Sequence, residues 1–192
     1  MKLGDIAELR TGLILTRKKA AIKYQIKKTY RLITLKNIDE KGAFNEEEFD
    51  IFESNDELNE GYFTKIGDIL IKLSHPFTAI YIDKDVEGLL VPSYFSIIRL
   101  NTRNYIPKYI TWYLNSDIVK RELIKSQTGT ALSTTNNTIL SSIDIKEIPI
   151  EDQYRIAKIQ ELYLKERELL SKLIEEKDKY YKGITDRLIN MN

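Results

Sequence analysis

Residues 151–189 read EDQYRIAKIQELYLKERELLSKLIEEKDKYYKGITDRLI. Pro149 and the pair Glu151 and Asp152 open this stretch, and no proline interrupts it afterwards. Proline fixes the approach to a helix, and carboxylates suit its positive first turn. Apolar side chains recur at Ile156, Ile159, Tyr163, Leu170, Leu173, Tyr180 and Ile184 in alternating steps of three and four, with Glu166 and Lys177 filling two positions of the same seam. This is a heptad pattern with two polar interruptions. About 39 residues at about 1.5 Å each make a helix about 60 Å long. Such a helix exceeds what the remaining chain can cover, so its pattern predicts pairing with a second helix. The alternative is an amphipathic helix lying along its own domain. A second apolar set (Leu162, Leu164, Leu169, Ile174, Leu188) widens the stripe.

The helix leaves 1–150 for a globular domain and takes 151–192 for itself. The chain has 192 residues, 42% of them apolar and 31% charged, enough for a sizeable core. It has no cysteine, which excludes disulfides, thiolate catalysis and cysteine zinc sites. The N-terminus, MKLGDIAELR, lacks the apolar core of a signal peptide, and no run of apolar residues suits a membrane span. The expectation is a soluble cytoplasmic protein.

The net charge of +1 conceals a strong asymmetry. Residues 10–36 carry nine bases and no acid, whereas residues 39–60 carry ten acids and one base. A basic block attracts phosphates. The acidic segment folding back over it would instead neutralise it, and both readings stand. The basic segment 16–29 reads as an exposed loop anchored by Ile22, Tyr24 and Ile26. Residues 30–35, 69–73, 79–83, 88–91 and 94–100 are strand candidates, and residues 37–60 read as loop with short elements. Pro107 opens a helix over 108–126, and 139–150 is a strand or extended lead into the last helix. The fold class expected is α+β: a mixed, strand-rich domain followed by a long C-terminal helix paired as a coiled coil.

Catalytic constellations are scarce. His75, the one histidine, lies between Ser74 and Pro76 with no catalytic partner in sequence. No P-loop, dinucleotide fingerprint or zinc-protease motif occurs. Asp144 and Lys146 have the D-x-K spacing of a metal-dependent nuclease strand, with Asp68 or Asp117 as the second acid that Mg²⁺ would require. The uncharged segment 127–138, QTGTALSTTNNT, offers donors and acceptors suited to base edges and phosphate oxygens. Its composition also suits an ordinary turn-rich connection.

The order of short motifs carries a resemblance. Leu3-Gly4-Asp5-Ile6 and Thr11-Gly12 open the chain, and Gly67-Asp68-Ile69-Leu70, Ile106-Pro107-Lys108-Tyr109-Ile110 and Thr128-Gly129-Thr130 follow. Ile148-Pro149-Ile150-Glu151-Asp152-Gln153 leads into the long helix. The whole resembles one half of the DNA-specificity (S) subunit of type I restriction–modification systems: one target recognition domain and one conserved spacer helix. Ile150 stands where that family commonly has a second proline.

The resemblance implies a non-catalytic subunit that reads half of a split double-stranded DNA target. It implies partners: modification subunits that use S-adenosylmethionine, and restriction subunits that use ATP and Mg²⁺, with no cofactor in this chain. One recognition domain and one spacer imply a homodimer through the C-terminal helix, its copies antiparallel. Phosphate contacts are expected from Arg17, Lys18, Lys19, Lys23, Lys27 and Lys28. Base or groove contacts are expected from Lys72, Ser74, His75, Thr128, Thr130, Ser133 and Thr134. The metal-dependent nuclease and a protein-only adaptor remain as alternatives.

Overall fold

The computed structural model describes residues 1–45, 47–126 and 134–190. The chain divides into two units, Met1–Tyr154 and Arg155–Asn192. In the first, a four-stranded antiparallel sheet runs in the order β1 (Ala7–Thr11), β6 (Phe95–Leu100), β4 (Ile69–Lys72), β5 (Ala79–Tyr81). A separate antiparallel ribbon pairs β2 (Lys28–Leu32) with β3 (Asp50–Ser54). The α-helices among the described residues are α1 (Leu3–Ile6), α2 (Pro107–Leu114), α3 (Asp117–Lys125), α4 (Asn137–Ser141) and α5 (Ile150–Asn190). The class is α+β, as the sequence predicts.

The apolar runs become the centre of the sheet. Every residue of β4 is buried, and Leu70 lies opposite Ile80 on one side and Ile97 on the other. These three join Ile33, Leu89 and Phe95 in the main core. A smaller core under the ribbon holds Leu13, Leu32, Phe52 and Leu90, with Tyr62 and Phe63 packed against it. Leu90 links the ribbon to the rest. Its N–H donates to the Arg31 carbonyl and its own carbonyl accepts from Ile33. The expected strand at 88–91 is therefore only a set of isolated bridges, to Leu32 and Phe63. Gly12 sits where any side chain would run into the carbonyl oxygens of Val91 and Pro92, so only glycine fits.

Three further expectations change. Residues 37–60 contain the strand β3, hidden in sequence because Asp50, Ile51 and Glu53 are exposed and only Phe52 and Ser54 face inward. The single helix expected over 108–126 is two. Asn115 ends α2 in helical conformation, and its side chain bonds both backbone groups of Ala79, accepting from its N–H at 2.9 Å and donating to its carbonyl at 2.7 Å; the chain turns extended at Ser116. Ser116 then caps α3, its hydroxyl accepting from the Val119 N–H. Residues 139–150 begin in α4 and continue as a connection that pairs only at Asp144, with Lys2.

The start of α5 is tied to the first unit by Gln153, which is 1% exposed. Its amide donates to the carbonyls of Asn104 (2.9 Å) and Ile148 (3.1 Å), and its oxygen accepts from the Ile106 N–H (3.0 Å). Tyr109 supports the same corner through a 2.7 Å hydrogen bond to the Lys146 carbonyl, and burial pushes its hydroxyl pKa up to about 12. Among the described residues no helix is long and apolar enough to cross a membrane.

Candidate nucleic-acid interface

The basic and acidic segments meet in the ribbon, because β2 comes from one and β3 from the other. Lys18 bonds the Asp56 carboxylate at 2.7 Å, Lys27 lies 3.9 Å from the same group, and Lys28 lies 4.0 Å from Glu57. The hydrogen bond from Lys18 holds the Asp56 carboxyl below the usual carboxylate range. Lys36 pairs with Asp50 at 2.7 Å. The acidic segment therefore does fold back over the basic one, but only in part. Arg17, Lys19 and Lys23 are exposed and have no ion pair among the described residues.

Backbone bonds shape what remains. The chain joins β3 where the Ala20 N–H donates to the Glu53 carbonyl, and rejoins it where the Lys27 N–H donates to the Ser54 carbonyl. Both ends of 20–27 are thus clipped to adjacent residues, leaving 21–26 as a tip. Inside it, Gln25 and Ile26 donate back to the Ile22 and Lys23 carbonyls, and the Gln25 side chain accepts from the Ala21 N–H. The tip presents Lys23 and Tyr24, the latter 87% exposed. Tyr24 is expected from sequence to anchor the loop; the clip to β3 anchors it instead and leaves the ring in solvent. A cation beside an exposed tyrosine suits contact with phosphate oxygens, to which both side chains can donate.

The second predicted cluster divides. Ser74 pairs with Thr134 across an isolated antiparallel bridge, reinforced by the Thr135 N–H donating to the Leu73 carbonyl at 2.7 Å. His75 is exposed in the turn that follows, its ring edge-on to that of Phe77. Phe77 is fully buried with a φ of 53°, a left-handed conformation rare outside glycine, so the turn that carries His75 is fixed from beneath. Lys72 does not share this surface. It is 8% exposed, and its ammonium donates to the Ile38 carbonyl at 3.0 Å. Burial lowers its pKa, opposed by Asp39 and Glu40. Lys72 turns inward because β4 is a central strand covered on both faces. Thr128, Thr130 and Ser133 lie outside the described residues.

Of the nuclease residues, Asp68 is already engaged. Asp68 is buried and bound by Arg99 at 2.8 and 2.9 Å, and it also accepts from the Lys65 N–H. Asp117 opens α3, and Asp144 lies on the bridge to Lys2. Among the described residues no three of His, Cys, Asp or Glu gather where a metal ion could be held.

The seam of α5 is open. Ile159, Tyr163, Leu170, Leu173, Tyr180 and Ile184 are 40–72% exposed, and Ile156 is half-buried. These are the residues that a paired helix would cover.

No protein-family model matches the sequence, and no curated protein matches it. Solved structures do. One, described as the structural basis underlying complex assembly and conformational transition of the type I R-M system, superposes with a TM-score of 0.65 at 17% identity, covering 88% of this chain and 43% of that one. The HsdS subunit from Thermoanaerobacter tengcongensis superposes with a TM-score of 0.61 at 17% identity, covering 88% of this chain and 42% of that one. The chain thus spans about two-fifths of the solved chains it matches. Its fold is that of an S subunit of type I restriction–modification systems.

Proposed function

We propose that this chain is a sequence-specific DNA-recognition subunit of a type I restriction–modification complex. The observation that carries the reading is the fold shared with S-subunit structures over 88% of the chain. Fold alone never fixes function, so the surface matters as well. The clipped tip with Lys23 and Tyr24, and the Ser74–His75 turn joined to Thr134, supply the phosphate-binding and groove-reading groups. The unit Met1–Tyr154 reads one half of a split duplex target. The exposed seam of α5 pairs with a second copy, so that two recognition units address two half-sites at a set distance. Two-fold symmetry in the protein then requires an inverted repeat in the DNA.

The chemistry belongs to other chains. Modification subunits bind S-adenosylmethionine, restriction subunits bind ATP and Mg²⁺, and this subunit directs them to the target without a cofactor of its own. The setting is the bacterial cytoplasm. Phosphate contact is tested by Lys19→Glu combined with Lys23→Glu, with duplex affinity measured across a salt series. Loss of two contacts should make the slope of log K against log salt shallower by about 1.8 and weaken binding at low salt. An unchanged slope would remove the tip from the interface.

A further inference from the structure

Arg10 is the one base on β1, and its guanidinium lies over the ring of Tyr62, 4.3 Å from the centroid. It also rests against Gly61, where an added Cβ would run into Nη1 and Cζ of Arg10. Gly61 does not have a positive φ, so the close approach of Arg10, not the backbone, is what calls for glycine. Arg99 lies on the same face of the sheet, since it sits opposite Glu8 and Arg10 sits opposite Ile97. Arg99 is fully engaged, donating to Asp68 and to the Phe63 carbonyl. Arg10 is the reverse: among the described residues it has neither an ion pair nor a hydrogen-bond acceptor. Glu8 on the same strand and Glu60 beside Gly61 do not pair with it. A half-buried guanidinium with its five N–H donors unmatched is unusual, because enclosed donors normally find acceptors.

We infer that Arg10, held by Tyr62 and Gly61, is a pre-formed fork for a phosphate of the DNA backbone. Two parallel N–H groups of a guanidinium match two phosphate oxygens, and the charge strengthens both bonds. Stacking on Tyr62 fixes the plane of the group without using any of its donors. The position agrees with the tip and the ribbon. Tyr62 and Phe63 pack on the smaller core beneath the ribbon, the Phe63 ring lies 5.1 Å from that of Tyr30, and the Lys28 ammonium lies 5.8 Å over Tyr30. Arg10 and Lys28 thus stand at the two ends of one aromatic row. The contact from Arg10 is carried by a strand of the main sheet, so its placement does not depend on a loop. Its sequence context, a base inside a short strand, gives no sign of this; the approach to Gly61 does.

This deepens the proposed function and rests on its DNA-binding reading. Gly61→Ala is the diagnostic variant. The group in the way is the far end of a flexible side chain, so the new methyl displaces the guanidinium and leaves both fold and charge in place. Affinity of the full chain is measured across a salt series for a mixed-sequence duplex and for a duplex of A·T pairs only, and the unfolding midpoint is read by chemical denaturation. Arg10→Gln and Gly61→Ala should each weaken binding to both duplexes about ten-fold at low salt. Arg10→Gln should also make the slope of log K against log salt shallower by about 0.9. Arg10→Lys keeps the charge without the fork, and should recover the slope but not the affinity. The unfolding midpoint of Gly61→Ala should stay at the wild-type value. Loss on the mixed duplex alone would assign the fork to guanine O6 and N7 and overturn the phosphate. Wild-type affinity and slope in Arg10→Gln and Gly61→Ala, while Lys19→Glu with Lys23→Glu weakens binding, would overturn this inference and leave the proposed function standing. No binding of either duplex by the wild type would overturn both.

Discussion

Leu70 and Leu170 carry the same side chain into opposite surroundings. Leu70 is fully buried between Ile80 and Ile97, whereas Leu170 is 53% exposed on a helix lined with other exposed apolar groups. The first unit satisfies itself: its apolar runs close into two cores, and its buried charges find partners. The second holds its backbone in one long helix and leaves its hydrophobic stripe in water. A single chain therefore contains a region that buries its own apolar side chains and a helix that leaves its apolar stripe exposed. In the proposed function that division separates reading from spacing.

The comparison breaks most visibly where the first unit holds a buried charge. Asp68→Ala leaves Arg99 without its two carboxylate bonds and should cost about 4 kcal/mol, read from chemical denaturation. A shift below about 1 kcal/mol would mean that solvent compensates Arg99. Leu70→Ala should follow at about 3 kcal/mol, while Leu170→Ala leaves the first unit's unfolding midpoint in place and weakens association instead. Equal effects on unfolding would abolish the distinction between the two regions. Gln153→Ala removes three hydrogen bonds at the entry to α5 and should cost about 2 kcal/mol. Increased amide exchange at Ile106 would localise the damage.

The smallest effect concerns pH. Asp56 is held by Lys18 below its ordinary value of 3.8, so its contribution to stability is present above that pH. It is lost as pH falls further, through the lower folded value. Asp56→Asn should erase this part of the acid limb and free Lys18 and Lys27, giving tighter and more salt-dependent binding to duplex DNA at neutral pH. Unchanged salt dependence would mean that neither lysine faces the DNA.

Much of this was legible before any coordinates. The β4 and β6 strands announce themselves as apolar runs, and the heptads of α5 specify both its length and its exposed seam. What sequence missed depends on distant partners. β3 carries too few inward apolar residues for alternation to reveal it, and only pairing with β2 makes it a strand. The break between α2 and α3 falls where Ser116 turns extended to cap α3, beside an Asn115 side chain that bonds the Ala79 backbone, far away in sequence. Lys72 has the composition of a surface contact, yet the Ile38 carbonyl draws it inward. Tyr24 has the composition of an anchor, yet backbone clips to β3 make an anchor unnecessary.

The central claim is that two recognition units read two half-sites at a distance set by paired α5 helices. Selection of bound duplexes from a randomised pool by the full chain tests it directly. The account predicts enrichment of an inverted repeat whose halves are separated by one constant gap. Enrichment of a lone half-site, or of repeats with no preferred spacing, would contradict it.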